Sequence, residues 1–144
     1  MTNPIVKEIA VLELTSKDYL TDEALAEFAT TYYDVEGLAL IRFIQLYYSE
    51  LYDAPEELTA LIVEDNADGY TMRAMLEEFG DSYYGSFDSV EDFAADFFET
   101  VFAGKEMFMF ENAGILNCID WERYWTSTLQ FDYCFFGNYF FRNI

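Results

Sequence analysis

The chain reads as a mainly α-helical α+β protein, two small units in an elongated acidic body that closes on a C-terminal aromatic β-hairpin or strand pair. Three observations predict this. Apolar residues recur at helical spacing through most of the length. A polar, turn-forming run, Glu64-Asp65-Asn66-Ala67-Asp68-Gly69, interrupts the pattern and divides an N-terminal helical unit, 1–68, from a C-terminal unit, 69–144. The closing stretch FDYCFFGNYFF sets a Gly137-Asn138 turn between two aromatic runs, the pattern of paired strands. With 144 residues the chain can bury roughly 68–70% of its unfolded surface and needs no staple.

Taken in order, residues 5–14, IVKEIAVLEL, suit a strand or a helix equally. Thr21 caps a helix to about Thr31. Asp22 and Glu23 meet the positive end of its dipole, and Leu25, Phe28 and Ala29 form its apolar stripe. Leu40, Phe43, Ile44, Tyr47 and Leu51 then predict one central helix over 38–52, stopped by Asp53-Ala54-Pro55. Pro55 opens the next helix, to about Val63, because the first turn has no use for the missing N–H. After the linker come a short helix over 70–79 and a loop carrying Gly80 and Gly85. Ser89 caps a helix over 90–102 whose core face is Phe93, Phe97, Phe98 and Val101, and Gly104 ends it. Residues 106–117 are rich in Met and Phe and carry no clear period. Asp120 caps a helix through Leu129 bearing Trp121, Tyr124 and Trp125.

The charge narrows the function. There are 28 Asp and Glu against 7 Lys and Arg, and no His, for a net charge of −21 and a pI near 4.1. Disordered acidic tails lack aromatic residues, whereas 53% of this chain is hydrophobic and 20% aromatic, so the charge belongs on a folded body. Such a polyanion repels nucleic acid and anionic membranes, and its partners are basic surfaces. The start, MTNPIVKEIAVLEL, lacks the pattern of a signal peptide, and no apolar run approaches the roughly 18 residues of a membrane span. Cys118 and Cys134 read as two buried, reduced thiols of a cytosolic protein.

Chemistry is scarce. Without His, neither a Ser-His nor a Cys-His nucleophile pair can form, and two cysteines are too few for a thiolate zinc site. Walker and GxGxxG loops are absent. Aligning Gly69 with the invariant glycine of a calcium loop puts Met75 where the bidentate Glu belongs, so this run is a turn. Carboxylate pairs suited to glycoside hydrolysis arise among 28 acids by number alone. The expectation is a non-enzyme with no cofactor and no metal.

Acids are spread through the whole chain instead of being massed in a tail. Asp22, Glu23 and Glu27 flank the apolar stripe of the first helix, and Glu91, Asp92, Asp96 and Glu99 flank that of the 90–102 helix. Like charges at i,i+3 and i,i+4 cost a helix roughly 0.2–0.5 kcal/mol each, and a helix that only needed solubility would alternate signs. Duplex DNA carries one charge per about 1.7 Å of axis, so the 21 uncompensated charges match roughly 36 Å, or about ten base pairs. Salt-adapted acidic proteins share the excess of acids but seldom so many rings, here 15 Phe, 12 Tyr and 2 Trp. The candidate acidic surface is Asp22, Glu23, Glu27, Glu56, Glu57, Glu64, Asp65 and Asp68 in the first unit. In the second it is Glu77, Glu78, Asp81, Asp88, Glu91, Asp92, Asp96 and Glu99.

The stretch from Tyr83 to Ala94, YYGSFDSVEDFA, resembles the Y-x-G-x-(F/Y)-D-S-x-x-D-F-A pattern of the ArdA antirestriction proteins of mobile elements. Cys118-Ile119-Asp120-Trp121-Glu122-Arg123-Tyr124 resembles that family's Y-I-D-(Y/W)-E-x-(F/Y) segment. Asp132-Tyr133 and Tyr139-Phe140-Phe141-Arg142 are similar to its aromatic end, and Asp34-Val35-Glu36-Gly37-Leu38 to the D-x-E-G turn of its middle domain. The resemblance covers about 70–144 and, on the shorter match, 33–69. Residues 1–32 do not match the family's N-terminal domain, so the chain reads as truncated or rebuilt there. The resemblance implies a non-catalytic DNA mimic, carried by a phage or plasmid, that occupies the DNA-binding groove of a type I restriction-modification enzyme in the cytoplasm of a bacterial host. It also implies a homodimer formed through the C-terminal domain, with Ile119, Trp121, Tyr124, Trp125 and Leu129 near the interface. The alternatives are a mimic directed at a CRISPR effector, another defence nuclease or a nucleoid protein; an acidic module that sequesters a basic partner; and a hydrolase built on one carboxylate pair.

Overall fold

A computed structural model describes residues 21–67 and 69–143 of the protein; the ambiguous segment 5–14 lies outside the described residues. The chain is a mainly helical α+β protein with a small antiparallel sheet near the C-terminus. It divides into two compact units after Tyr83, not after residue 68.

In the first unit, α1 (Asp22–Tyr33) starts where Thr21 accepts a hydrogen bond from the Ala24 amide at 3.1 Å. Its stripe of Leu25, Ala26, Phe28 and Ala29 is buried. Asp34 ends it in the left-handed conformation, φ 53°. The next helix, α2 (Gly37–Tyr47), packs against α1 at Gly37. A Cβ there would stand 1.9 Å from the Ala26 carbonyl oxygen, so only glycine fits. The same site is tied by Thr30, whose hydroxyl donates to Ala26 O and accepts from the Gly37 amide.

The central helix expected over 38–52 is broken at Tyr48, φ −134°, into α2 and a single turn, α3 (Ser49–Tyr52). The break puts the Tyr48 ring against Phe43 and Tyr70, and its hydroxyl on Glu78. An unbroken helix answers to its i,i+4 neighbours, and the contacts with Tyr70 and Glu78 come from distant parts of the chain. Pro55 opens α4 (Pro55–Glu64) as expected, and the Tyr33 hydroxyl donates to Ile62 O across the core.

The expected linker is a tight hairpin, β1 (Asn66–Ala67) with β2 (Tyr70–Thr71). Its Asp65 carboxylate accepts from the Met72 amide at 2.9 Å, tying the linker to α5 (Met72–Ser82). That helix starts later than expected and runs through Gly80, where a loop was expected. Met72, Met75 and Phe79 are buried, Phe79 edge-on to Phe43. They make α5 part of the first unit and move the boundary to Tyr83.

At that boundary begins β3 (Tyr83–Ser86), a strand where the sequence predicted loop. Gly85, at φ 157°, serves the extended chain. In the second unit Ser89 caps α6 (Val90–Val101), accepting from the Asp92 amide at 3.1 Å. Residues 105–118 resolve into α7 (Lys105–Asn112) and a 3-10 turn over Ile115–Cys118. Asp120 caps α8 (Trp121–Ser127), which stops short of the expected Leu129; that residue sits in a second 3-10 turn, Leu129–Phe131. The hairpin predicted at the end is present: β4 (Tyr133–Phe136) pairs antiparallel with β5 (Tyr139–Arg142), and Gly137 turns at φ 60°. The strand order is β3-β5-β4.

Phe93, Ala94, Leu129 and Phe140 form the core between α6, α8 and the sheet. Two expectations about burial fail here. Val101 is 55% exposed, because α6 turns only Phe93 and Ala94 fully inward. Cys118 is exposed at the end of its 3-10 turn and Cys134 half-buried, so neither is a fully buried thiol.

Candidate interaction surface

Helix geometry places the acids. On α1 the inward stripe leaves Glu23 and Glu27 exposed. On α4 Glu56, Glu57 and Glu64 are exposed, with Leu58, Leu61 and Ile62 buried behind them. On α5 Glu77, Glu78 and Asp81 are exposed opposite Met72, Met75 and Phe79. On α6 Asp92, Asp96 and Glu99 are exposed, and Asp88 stands exposed before the cap. Residues 92, 96 and 99 are spaced four and three apart and share one face. Asp65 is exposed too, although its carboxylate already accepts from the Met72 amide.

Two expected surface acids are turned inward. Asp22 is half-buried and accepts from Arg42 Nη1 at 2.8 Å and from the Tyr52 hydroxyl at 2.7 Å. Arg42 also donates to Gln45 at 3.0 Å, so Asp22 is the centre of a structural network and has little left for a partner. Glu91 is half-buried on the flank of α6, and Asp68 lies outside the described residues.

Ion pairing offsets little of this charge. Arg73 reaches Glu77 at 3.9 Å with both side chains largely in water, a pair of small value. Among the described residues, no lysine or arginine pairs with Glu23, Glu27, Glu56, Glu57, Asp81, Asp92 or Glu99. Tyrosines partner some acids instead: Tyr48 donates to Glu78, and Tyr84 to Asp96 at 3.1 Å. Burial, then the Glu78 hydrogen bond, pushes the Tyr48 phenol up to about 12. Burial, then the Asp65 charge, does the same for Tyr33. The hydrogen bond to Asp22 is the main cause raising Tyr52, and burial the main cause for Tyr84 and Tyr124.

Sequence reasoning passed over exposed acids at Asp34, Glu36, Glu50, Asp53, Glu106, Glu111, Asp120, Glu122 and Asp132. The same spacing rule that found the others would have found Glu106 and Glu122, each in the first turn of its helix. Of the residues expected at a dimer interface, Leu129 is only 3% exposed and lies in the unit's own core, so it offers no surface to a second copy. Trp121, Tyr124 and Trp125 pack half-buried against that core, and Ile119 is half-buried.

Among the described residues, no three acids or cysteines converge as metal ligands, and no helix is long and apolar enough to cross a membrane. Comparison with protein-family models, with curated proteins and with solved structures found no match.

Proposed function

We propose that this protein is an anti-defence inhibitor that presents itself as DNA to the basic groove of a bacterial defence enzyme, most directly a type I restriction-modification complex. It acts in the host cytoplasm without catalysis. The observation that carries the reading is the set of exposed carboxylates without cationic partners among the described residues, Glu23, Glu27, Glu56, Glu57, Asp81, Asp92 and Glu99, on helices of both units. Each would stand in for a phosphate and pair with a lysine or arginine of the groove. Single phosphate contacts are modest and sequence-independent, so the effect is the sum of many. Opposite fields speed encounter, and salt screens them.

The test is competition. The protein is titrated into a purified type I complex bound to labelled duplex, at low and at high salt. Displacement that fades with salt is expected, with graded losses for single Glu→Gln or Asp→Asn changes. Absence of displacement at low salt removes this target, and complete loss from one substitution in a folded variant removes the distributed mechanism.

A further inference from the structure

Asp22 holds a cation within the molecule itself. Its Oδ2 accepts from the Tyr52 hydroxyl at 2.7 Å and from Arg42 Nη1 at 2.8 Å. The phenol fixes the carboxylate, whose lone pairs suffice for both donors.

The same pairing of tyrosine and carboxylate occurs once more in each unit, without the cation. In the first unit the Tyr48 hydroxyl donates to Glu78 Oε2. In the second the Tyr84 hydroxyl donates to Asp96 Oδ2 at 3.1 Å. Both phenols are held by other rings. Tyr48 packs on Phe43 and Tyr70, and Tyr84 on Phe87, Phe93, Phe97 and Tyr133. A ring so enclosed presents its hydroxyl as a fixed donor. Glu78 and Asp96 are nonetheless exposed, and among the described residues no lysine or arginine pairs with either. Each carboxylate keeps lone pairs for a donor from outside.

An unheld Asp or Glu side chain must be ordered when it meets a cation, and the lost rotamer freedom weakens binding. Glu78 and Asp96 are ordered already by the fold. Asp92, exposed on the same face of α6 as Asp96, has no such tyrosine among the described residues.

We propose that Glu78 and Asp96, pre-set by Tyr48 and Tyr84, are the anchor points of the acidic surface, each taking a cationic side chain of the basic partner as Asp22 takes Arg42. The anchors rest on the reading of the protein as a ligand of basic surfaces, and they rank its carboxylates. Tyr48 and Tyr84 are positioning residues that act through the acids they hold.

The test uses the intact protein and a labelled oligo-arginine peptide, followed by fluorescence anisotropy over a range of salt, with thermal unfolding of each variant as the check on its fold. Tyr48→Phe and Tyr84→Phe should each weaken binding about two- to tenfold, the effect of freeing one side chain. Neither removes a charge, so the salt dependence should keep the wild-type slope. Tyr133→Phe removes a phenol of the same cluster and should leave binding unchanged. Asp96→Asn and Asp92→Asn remove the same charge from the same face, and the first should weaken binding more. Wild-type affinity in both Tyr48→Phe and Tyr84→Phe, or equal losses from the two Asp→Asn changes, overturns the anchors. If the wild type still displaces duplex from the restriction complex in that case, only the anchors fail and the mimicry stands. If it displaces none while Tyr48→Phe and Tyr84→Phe lose peptide affinity, the anchors stand and the restriction complex is not the target.

Discussion

In the unit that ends at Tyr83, aliphatic side chains make up most of the described interior: Leu40, Ile41, Ile44, Leu61, Ile62, Met72 and Met75 are at most 2% exposed, with Phe28, Phe43 and Phe79 buried among them. After Tyr83 rings take over, with Phe93 and Phe140 fully enclosed and Tyr84, Phe87, Phe97, Trp121, Tyr124, Trp125 and Tyr133 half-buried around them. A small unit encloses a smaller share of its surface, and rings compensate because each covers about 150–250 Å². The compensation is incomplete. Among the described residues, Val101, Met109, Ile115, Phe131 and Phe135 are exposed large hydrophobics of the second unit, against Tyr70 in the first. In the sequence, 18 of the 28 acids lie up to Tyr83 and 10 after it.

Truncating Phe93 should have the largest effect. Phe93→Ala removes the ring that touches Tyr84, Phe87, Trp125 and Phe140, at a cost of about 3–5 kcal/mol. Hydrogen exchange should then show protection lost after Tyr83 while α2 and α4 keep theirs. If both units lose protection together, the two cores are not separately stable and the comparison breaks.

Asp22→Ala should cost about 1–3 kcal/mol, because it removes the carboxylate that accepts from both the Arg42 guanidinium and the Tyr52 hydroxyl. Glu27→Ala on the same helix should stay within about 0.5 kcal/mol. Chemical denaturation of both variants checks the contrast. Equal effects would mean that Asp22 is an ordinary surface acid.

Alkali probes the tyrosines of the first unit. Tyr33 and Tyr48 in the first unit are pushed up to about 12 from 10. The fold favours their neutral form, so their contribution is fully present below pH 10 and lost as pH rises from 10 to 12. A Tyr48→Phe protein should lose less stability over that window than the wild type, read from denaturation midpoints by circular dichroism, after giving up under about 1 kcal/mol at neutral pH.

The smallest effect belongs to the acidic face of α6. Asp96→Asn relieves the repulsion of Asp96 from Asp92 and Glu99 and should stabilise by roughly 0.2–0.5 kcal/mol per pair, less the modest Tyr84 hydrogen bond. The gain should vanish in high salt. A loss at low salt would show that the hydrogen bond outweighs the charge.

What could be read in advance was local. Thr21, Ser89 and Asp120 cap the helices they announced, because a cap is settled within three residues of itself. Gly137 marked the hairpin for a similar reason. The outward acids followed from the apolar stripe, since one face of a helix defines the other. Less legible were Tyr48, whose ring and hydroxyl find Tyr70 and Glu78 about twenty and thirty residues away, and β3, whose edge position depends on β5. Leu129 looked like an interface residue and is core, because its fate depends on where α6 and β5 meet it.

By itself, then, the sequence determined the helical character, the caps, the closing hairpin and a net charge of −21, all set by residue type and short spacing. Tertiary structure decided the boundary at Tyr83, the inward turn of Asp22 and the exposure of Phe135 on the edge strand β4. These depend on which distant residues meet, and period and propensity carry no record of partners far along the chain.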